Sequence, residues 1–267
     1  MRQPNRNRAQ RTAWIAGLCF LLLVGLRYSF TSAISNAAQP VSAAVQNESP
    51  IPLPNGRLLP IYSVETDERI VALGFNAAWS ADDVLTLLQA LGGEPATFFV
   101  LGEWAEQNPE AVAAIAAAGH EVMSHGYDHT DMTGMPESAL LASVEKADAA
   151  IESITGNPVD LLRMPSGAYD AAVLKTLYQS GHYPIQWSID TLDWKGLSAE
   201  EIAGRVLEQL HPGAIVLLHV GGDATPQALP MLLSGIREAG YRCLPVGALI
   251  LREGFSLDHT GRQYPAG

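Results

Sequence analysis

The stretch "RIVALGFNAAWSADDV", Arg69–Val84, decides the fold. Ile70, Val71, Leu73 and Phe75 are apolar and mostly β-prone, so the segment begins as a strand. At Asn76 the strand stops. The chain then turns through Ala77, Ala78 and Trp79, and "SADDVLTLLQALGG" continues as a helix. Ser80 is its expected N-cap, Asp82 and Asp83 fall in the first turn, and a Gly pair stops it. A strand feeding a capped helix is one βα unit. In parallel α/β proteins, working side chains sit where that strand ends. Here that place holds an amide and two methyl groups.

The same unit recurs down the chain. "ATFFVLG", "HEVMSH", "DLLRMP", "YPIQWSID", "GAIVLLHV" and "YRCLPV" read as further strands. Between them lie helical segments such as "NPEAVAAIAAAG", with Asn108 as cap and Pro109 first, and "SAEEIAGRVLEQL", capped by Ser198. Short strands joined by helices imply right-handed crossovers and a parallel sheet. An open doubly wound sheet and a closed barrel both fit. His and acidic residues fall at nearly every strand end, which favours an α/β barrel. The expectation is a distorted parallel (β/α) barrel with seven or eight strands over 69–267.

Ahead of it, residues 1–30 are a basic lead and an apolar run, Ala13–Leu26, shorter than the ~20 residues of a spanning helix. This reads as a signal-anchor, ahead of a cleaved signal peptide, with the bulk of the chain extracytoplasmic: membrane-anchored or secreted. Residues 31–68 are rich in Pro, Ser and Ala and read as a linker whose last part, "RLLPIYSVE", packs on the domain.

Charge separates the two regions. Arg2, Arg6, Arg8, Arg11 and Arg27 precede position 31, where no acid occurs. Without them, 11 Lys+Arg face 28 Asp+Glu, a net −17. Such a domain is a poor nucleic-acid binder. Cys19 lies in the apolar run, so Cys243 stands alone in the domain. That excludes an intradomain disulfide and a thiolate cluster, and Cys243 reads as a core residue.

Four strand ends carry chemistry. In "MSHGYDHTD", His125 and His129 share one face and one metal if the chain turns helically, and are surface histidines otherwise. In "LLRMPSG", Arg163 enters a Pro-Gly turn, either to hold a carboxylate or as a surface residue. "WSIDTLDWKG" supplies Asp190, Asp193 and Trp194, which suit a sugar groove that also orients a histidine, or a pair of turn-forming aspartates. "IVLLHVG" ends in His219, a general acid or a core histidine.

In order these pieces read HxxxH, RxPxG, DxxDW and LxH. That order, with "ATFFVLG" and "AAAGHEVMSHGYDHTDM", resembles the polysaccharide deacetylase family, carbohydrate esterase family four with its NodB homology domain, from Arg69 onward. The resemblance implies hydrolysis of a C–N amide bond in peptidoglycan, chitin-like or other N-acetylated glycan, releasing acetate. It implies a divalent metal, usually zinc, held by His125 and His129. Arg163 would brace the catalytic base, and Asp193 would orient His219, the general acid. Trp194, Leu217, Pro165 and Asp190 would line the groove.

The family's first motif, Thr-Phe-Asp-Asp-Gly, is replaced by Gly74-Phe75-Asn76-Ala77-Ala78. Asn76 stands at the base and Ala77 at the third metal ligand. An amide takes no proton from water near neutral pH, and a methyl binds no cation. Ser166 replaces the family's common Tyr in the third motif. The "AAW" form is similar to a sporulation-associated branch. Two functions follow: a deacetylase with an altered site and weakly held metal, or a non-catalytic cell-wall glycan-binding protein. Without an acid at 76, Arg163 is expected to pair with Asp190 or Asp193. Asp128 and Asp131 are the acids near enough to complete a metal site.

Overall fold

The computed structural model describes residues 58–265. Residues 1–30, read above as a signal segment, and the expected linker up to residue 57 lie outside the described residues. Among the described residues, no helix is long and apolar enough to cross a membrane.

In chain order the strands are β1 Ser63–Val64, β2 Ile70–Ala77, β3 Thr97–Val100, β4 Glu121–Ser124, β5 Leu161–Leu162, β6 Tyr183–Pro184, β7 Ile189–Asp190, β8 Ala214–His219, β9 Arg242–Cys243, β10 Phe255–Leu257 and β11 Arg262–Pro265. The helices are α1 Val84–Leu91, α2 Gly102–Gln107, α3 Pro109–Ala117, α4 Glu137–Thr155, α5 Ala171–Gln179, α6 Ala199–Gln209, α7 Thr225–Glu238 and α8 Val246–Leu249. From β2 to β9 one or two helices separate successive strands except between β6 and β7, the sign of successive crossovers.

The sheet runs β8-β2-β3-β4-β5-β6, every pair parallel. The segment "YPIQWSID" is broken into β6 and β7, and β7 lies alongside β8. Its first half thus ends one side of the sheet while its second half joins the other. An isolated bridge, Ile61 to Ile185, helps to bring the two together. The result is a distorted barrel, as the sequence implies. β1, β10 and β11 extend it, with antiparallel pairing of β1 to β8 and β10 to β11. Leu59, Ile61 and Val64 are buried, so the last part of the linker packs into the domain as expected.

β2 is central and buried along its whole length. A strand covered on both faces needs a near-continuous apolar run, which "IVALGF" supplies. Phe75 stacks on Phe98 of β3, ring centroids 4.9 Å apart. Ser198 caps α6 in a reciprocal box with Glu201, as its sequence predicts. α1 differs. It starts at Val84, and the Ser80 hydroxyl instead accepts from the Asp82 N–H to close a turn. Asp83 makes no cap bond. Its carboxylate accepts from the Gly221 N–H at 2.9 Å, tying this turn to the loop after β8. Burial raises its pKa, partly offset by that bond.

Candidate functional site

Register brings the candidates together. Asn76 in β2 is paired with His219 in β8 on one side and with Phe99 in β3 on the other. Ser124 ends β4 beside Leu162 of β5, so the following residues, His125 and Arg163, emerge side by side. The Arg163 N–H donates to the Ser124 carbonyl at 2.9 Å. Of these residues Asn76 and His219 line a cavity of about 710 Å³, together with His129, Asp190, Trp194 and Leu217, whereas His125 and Arg163 are buried and are not among its lining residues.

Arg163 is fully buried. Its Nη1 donates to the Gly74 carbonyl at 3.0 Å and to Asn76 Oδ1 at 3.1 Å, and its Nη2 donates to the Gln186 carbonyl at 3.4 Å. The guanidinium lies over the Phe99 ring, 4.1 Å from its centroid. The expected pairing with Asp190 or Asp193 does not occur. Asp193 is engaged by His219, and Asp190 accepts from the Leu192 N–H in its own turn. Carbonyl oxygens and π faces take the place of a counter-charge. Burial pushes the Arg163 pKa down to about 9, which still leaves it charged near neutral pH. Gly74 makes room for it: a Cβ there would sit 2.5 Å from Nη2.

Asp193 and His219 form the second constellation. Nδ1 of His219 donates to Asp193 Oδ1 at 2.7 Å. Asp193 Oδ2 accepts from the His219 N–H and the Thr225 hydroxyl, both at 2.8 Å. A carboxylate that meets three donors fixes the ring's orientation and leaves Nε2 free of this contact. Thr225, at the start of α7, carried no sequence signal that marked it as part of the site.

His125 is buried, and its Nδ1 donates to the Arg163 carbonyl at 2.7 Å. Burial is the main cause that pushes its pKa down to about 3, so the ring is neutral with its lone pair on Nε2. That is the tautomer a metal ligand needs. The chain to His129 is not helical, as the HxxxH reading supposed. Gly126 and His129 both take positive φ, 84° and 59°. The bent path still sets the two imidazoles edge to face, centroids 5.2 Å apart.

A tight divalent site needs a third protein donor. Ala77 offers none. The exposed carboxylates of Asp128 and Asp131 bond instead to Thr130 and Thr133 in their own turns. No group of three or more metal-ligating side chains occurs among the described residues. The residues present give two donors and do not fit a complete metal centre.

Pro165, expected in the groove, is buried and does not line the cavity, whereas its neighbour Ser166, at φ 56°, does. Trp79 and Trp187 line it too, beyond the residues the family motifs mark.

The polysaccharide deacetylase family model matches residues 63–185. A chitooligosaccharide deacetylase of Rhizobium leguminosarum bv. trifolii is 33% identical over 205 residues, covering 70% of this chain and 95% of that protein. This chain belongs to the polysaccharide deacetylase family. The uncharacterized protein YlxY of Bacillus subtilis is 31% identical over 68% of this chain, which spans only 57% of that relative's length. A CE4 family pseudoenzyme from Bacillus anthracis superposes with a TM-score of 0.69 at 30% identity, covering 73% of this chain and 69% of that one. A mutant of it with restored enzymatic activity gives 0.70 at the same identity, with 73% and 72% covered.

Proposed function

We propose that this domain binds N-acetylated cell-wall glycan, of peptidoglycan or chitin-like type, in the groove of a deacetylase fold, without efficient turnover. The observation that carries this is the contact between Arg163 and Asn76. The guanidinium is placed to brace a group at position 76, and that group is an amide. General-base catalysis is typically worth about 10²–10⁴-fold, and this side chain cannot supply it. With two imidazoles and a methyl at position 77, zinc is the metal most suited to the ligand types but is held weakly. No step is assigned to it.

A groove remains to take the glycan: Leu217, Trp194 and Asp190 line the cavity, while Pro165, also expected there, is not among its lining residues. The basic, apolar N-terminus supports a location outside the cytoplasm, where cell-wall glycan is the available partner. A second reading, a slow deacetylase, is favoured by the Asp193–His219 pair, which keeps an imidazole oriented as a proton donor at the groove.

The test measures both binding and acetate release with N-acetylated peptidoglycan fragments and chitin oligomers, with zinc or cobalt and without metal. Binding without acetate release supports the proposal. A metal-dependent rate that His219→Ala abolishes overturns it in favour of the enzyme.

A further inference from the structure

Trp79 and Trp194 are each 56% exposed, unusually open for indoles, and both line the cavity. Topology explains their placement. β8, which carries His219, has β2 on one edge and β7 on the other. Trp79 follows the end of β2, and Trp194 follows the end of β7. The histidine therefore lies between two solvent-facing indoles.

Trp79 is the more informative of the two. Its ring centroid is 5.5 Å from that of His219 and 6.4 Å from that of His129, tilted 41° to each. Its backbone is pinned, since the Trp104 indole N–H donates to the Trp79 carbonyl at 2.9 Å, and Trp104 is buried. An indole held open on a fixed backbone loses little freedom when a ligand covers it. It also sits two residues after Ala77 and lines the same cavity as His129 and His219. Trp194 already has the Lys195 ammonium 4.9 Å from its ring centroid.

We infer that Trp79 is a specificity-determining platform on which one hexopyranose ring of the glycan stacks, and that it supplies the grip that the two-donor histidine pair does not. The inference rests on the glycan-binding reading and names the residue responsible. A pyranose with equatorial substituents presents an apolar C–H face, which suits the negative face of an indole. A sugar stacked there lies beside His219 whether or not a metal is present.

The experiment is calorimetric titration of the full chain with tetra-N-acetylchitotetraose and with peptidoglycan fragments, each in EDTA and, in parallel, with zinc and no EDTA. The proteins are the parent, Trp79→Ala, Trp79→Phe and Leu85→Ala, the last replacing an exposed apolar residue outside the cavity lining. Urea unfolding midpoints show that each is folded. The expected result is a Kd raised about tenfold or more by Trp79→Ala, consistent with an aromatic hot spot. Trp79→Phe should recover most of the affinity, and Leu85→Ala should match the parent. Trp79→Ala binding as tightly as the parent overturns the inference and leaves the glycan reading intact. Parent binding that EDTA abolishes also overturns it, because a metal then holds the ligand. A parent that binds neither probe overturns the glycan reading and the inference with it.

Discussion

Arg163 and Asn76 meet side chain to side chain in the buried interior, Nη1 donating to Oδ1 at 3.1 Å. The contact joins a buried cation to a neutral amide. Among the described residues no carboxylate pairs with Arg163, and its Nε has no partner. Hydrogen bonds to charged groups are stronger when the acceptor is itself charged. Removing one partner of a buried ion pair is costly because the other charge is left uncompensated, and this chain carries that state natively.

Asn76→Asp should therefore raise stability, by up to about 1.5–3 kcal/mol, the range for a hydrogen bond involving charged groups. The measurement is the urea midpoint of the parent and the variant at neutral pH. An unchanged or lower midpoint would show that carbonyl oxygens and the Phe99 ring already compensate the guanidinium in full.

Asp193→Asn should disorganise His219. The carboxylate accepts three bonds, from two N–H groups and a hydroxyl, and an amide offers one acceptor oxygen and a second group that only donates. A buried donor would then face a donor. The expected loss is about 1–3 kcal/mol of stability. Nitrogen NMR of the His219 ring should show the Nδ1 proton no longer held in one environment. A variant as stable as the parent, with unchanged ring shifts, would refute this.

Much of this site was legible because strand ends announce themselves. "GAIVLLHV" is wholly apolar until its histidine, so His219 could be placed at the end of β8 without coordinates. The partner of Arg163 was not legible. The acids it was expected to meet, Asp190 and Asp193, lie at and just after the end of a strand that breaks at Gln186–Ser188 and moves to the other side of the sheet. A run of apolar residues does not reveal such a break. Nor did "SADDV" reveal that Asp83 serves Gly221 rather than its own helix. An acid before a helix carries the same local signal whether it caps that helix or reaches across to a loop far away in sequence. The turn between His125 and His129 was misread for a similar reason, since spacing alone cannot distinguish a helical turn from one through two left-handed residues.

Acid sensitivity should have a component at His120. It is buried, its Nδ1 has no partner, and its ring lies 5.5 Å from that of Phe98. Burial lowers its pKa below the ordinary 6.5. The unfolded chain then binds more protons than the folded one as pH falls below about 6.5, so stability must fall with it. The contribution is fully present above that pH and is lost on acidification toward the folded value. His120→Leu should flatten the dependence of the urea midpoint between pH 6.5 and 5, by up to one proton's worth of slope. An unaltered slope would assign the acid sensitivity elsewhere.

The double change Asn76→Asp and Ala77→Asp should convert the groove toward an enzyme. Each member of the remaining set already has its position. Arg163 donates to the side chain at 76, Asp193 holds His219, and His125 is neutral, with its Nδ1 tied to a carbonyl. Ala77→Asp would add the third donor that a tight zinc site needs. Alone it should improve zinc binding, read by calorimetry, more than acetate release. Asn76→Asp alone should do little to the rate without metal. Together they should raise both, since a general base typically contributes about 10²–10⁴-fold and a Lewis acid several kcal/mol of transition-state stabilisation. Ala77 is buried, so the added carboxylate must reach the imidazoles rather than remain in the core, and the zinc titration reports whether it does. If the double variant folds and binds zinc yet releases acetate no faster than the parent from any N-acetylated glycan, the missing carboxylates are not what limits it. The groove would then have lost its fit to acetylated substrate.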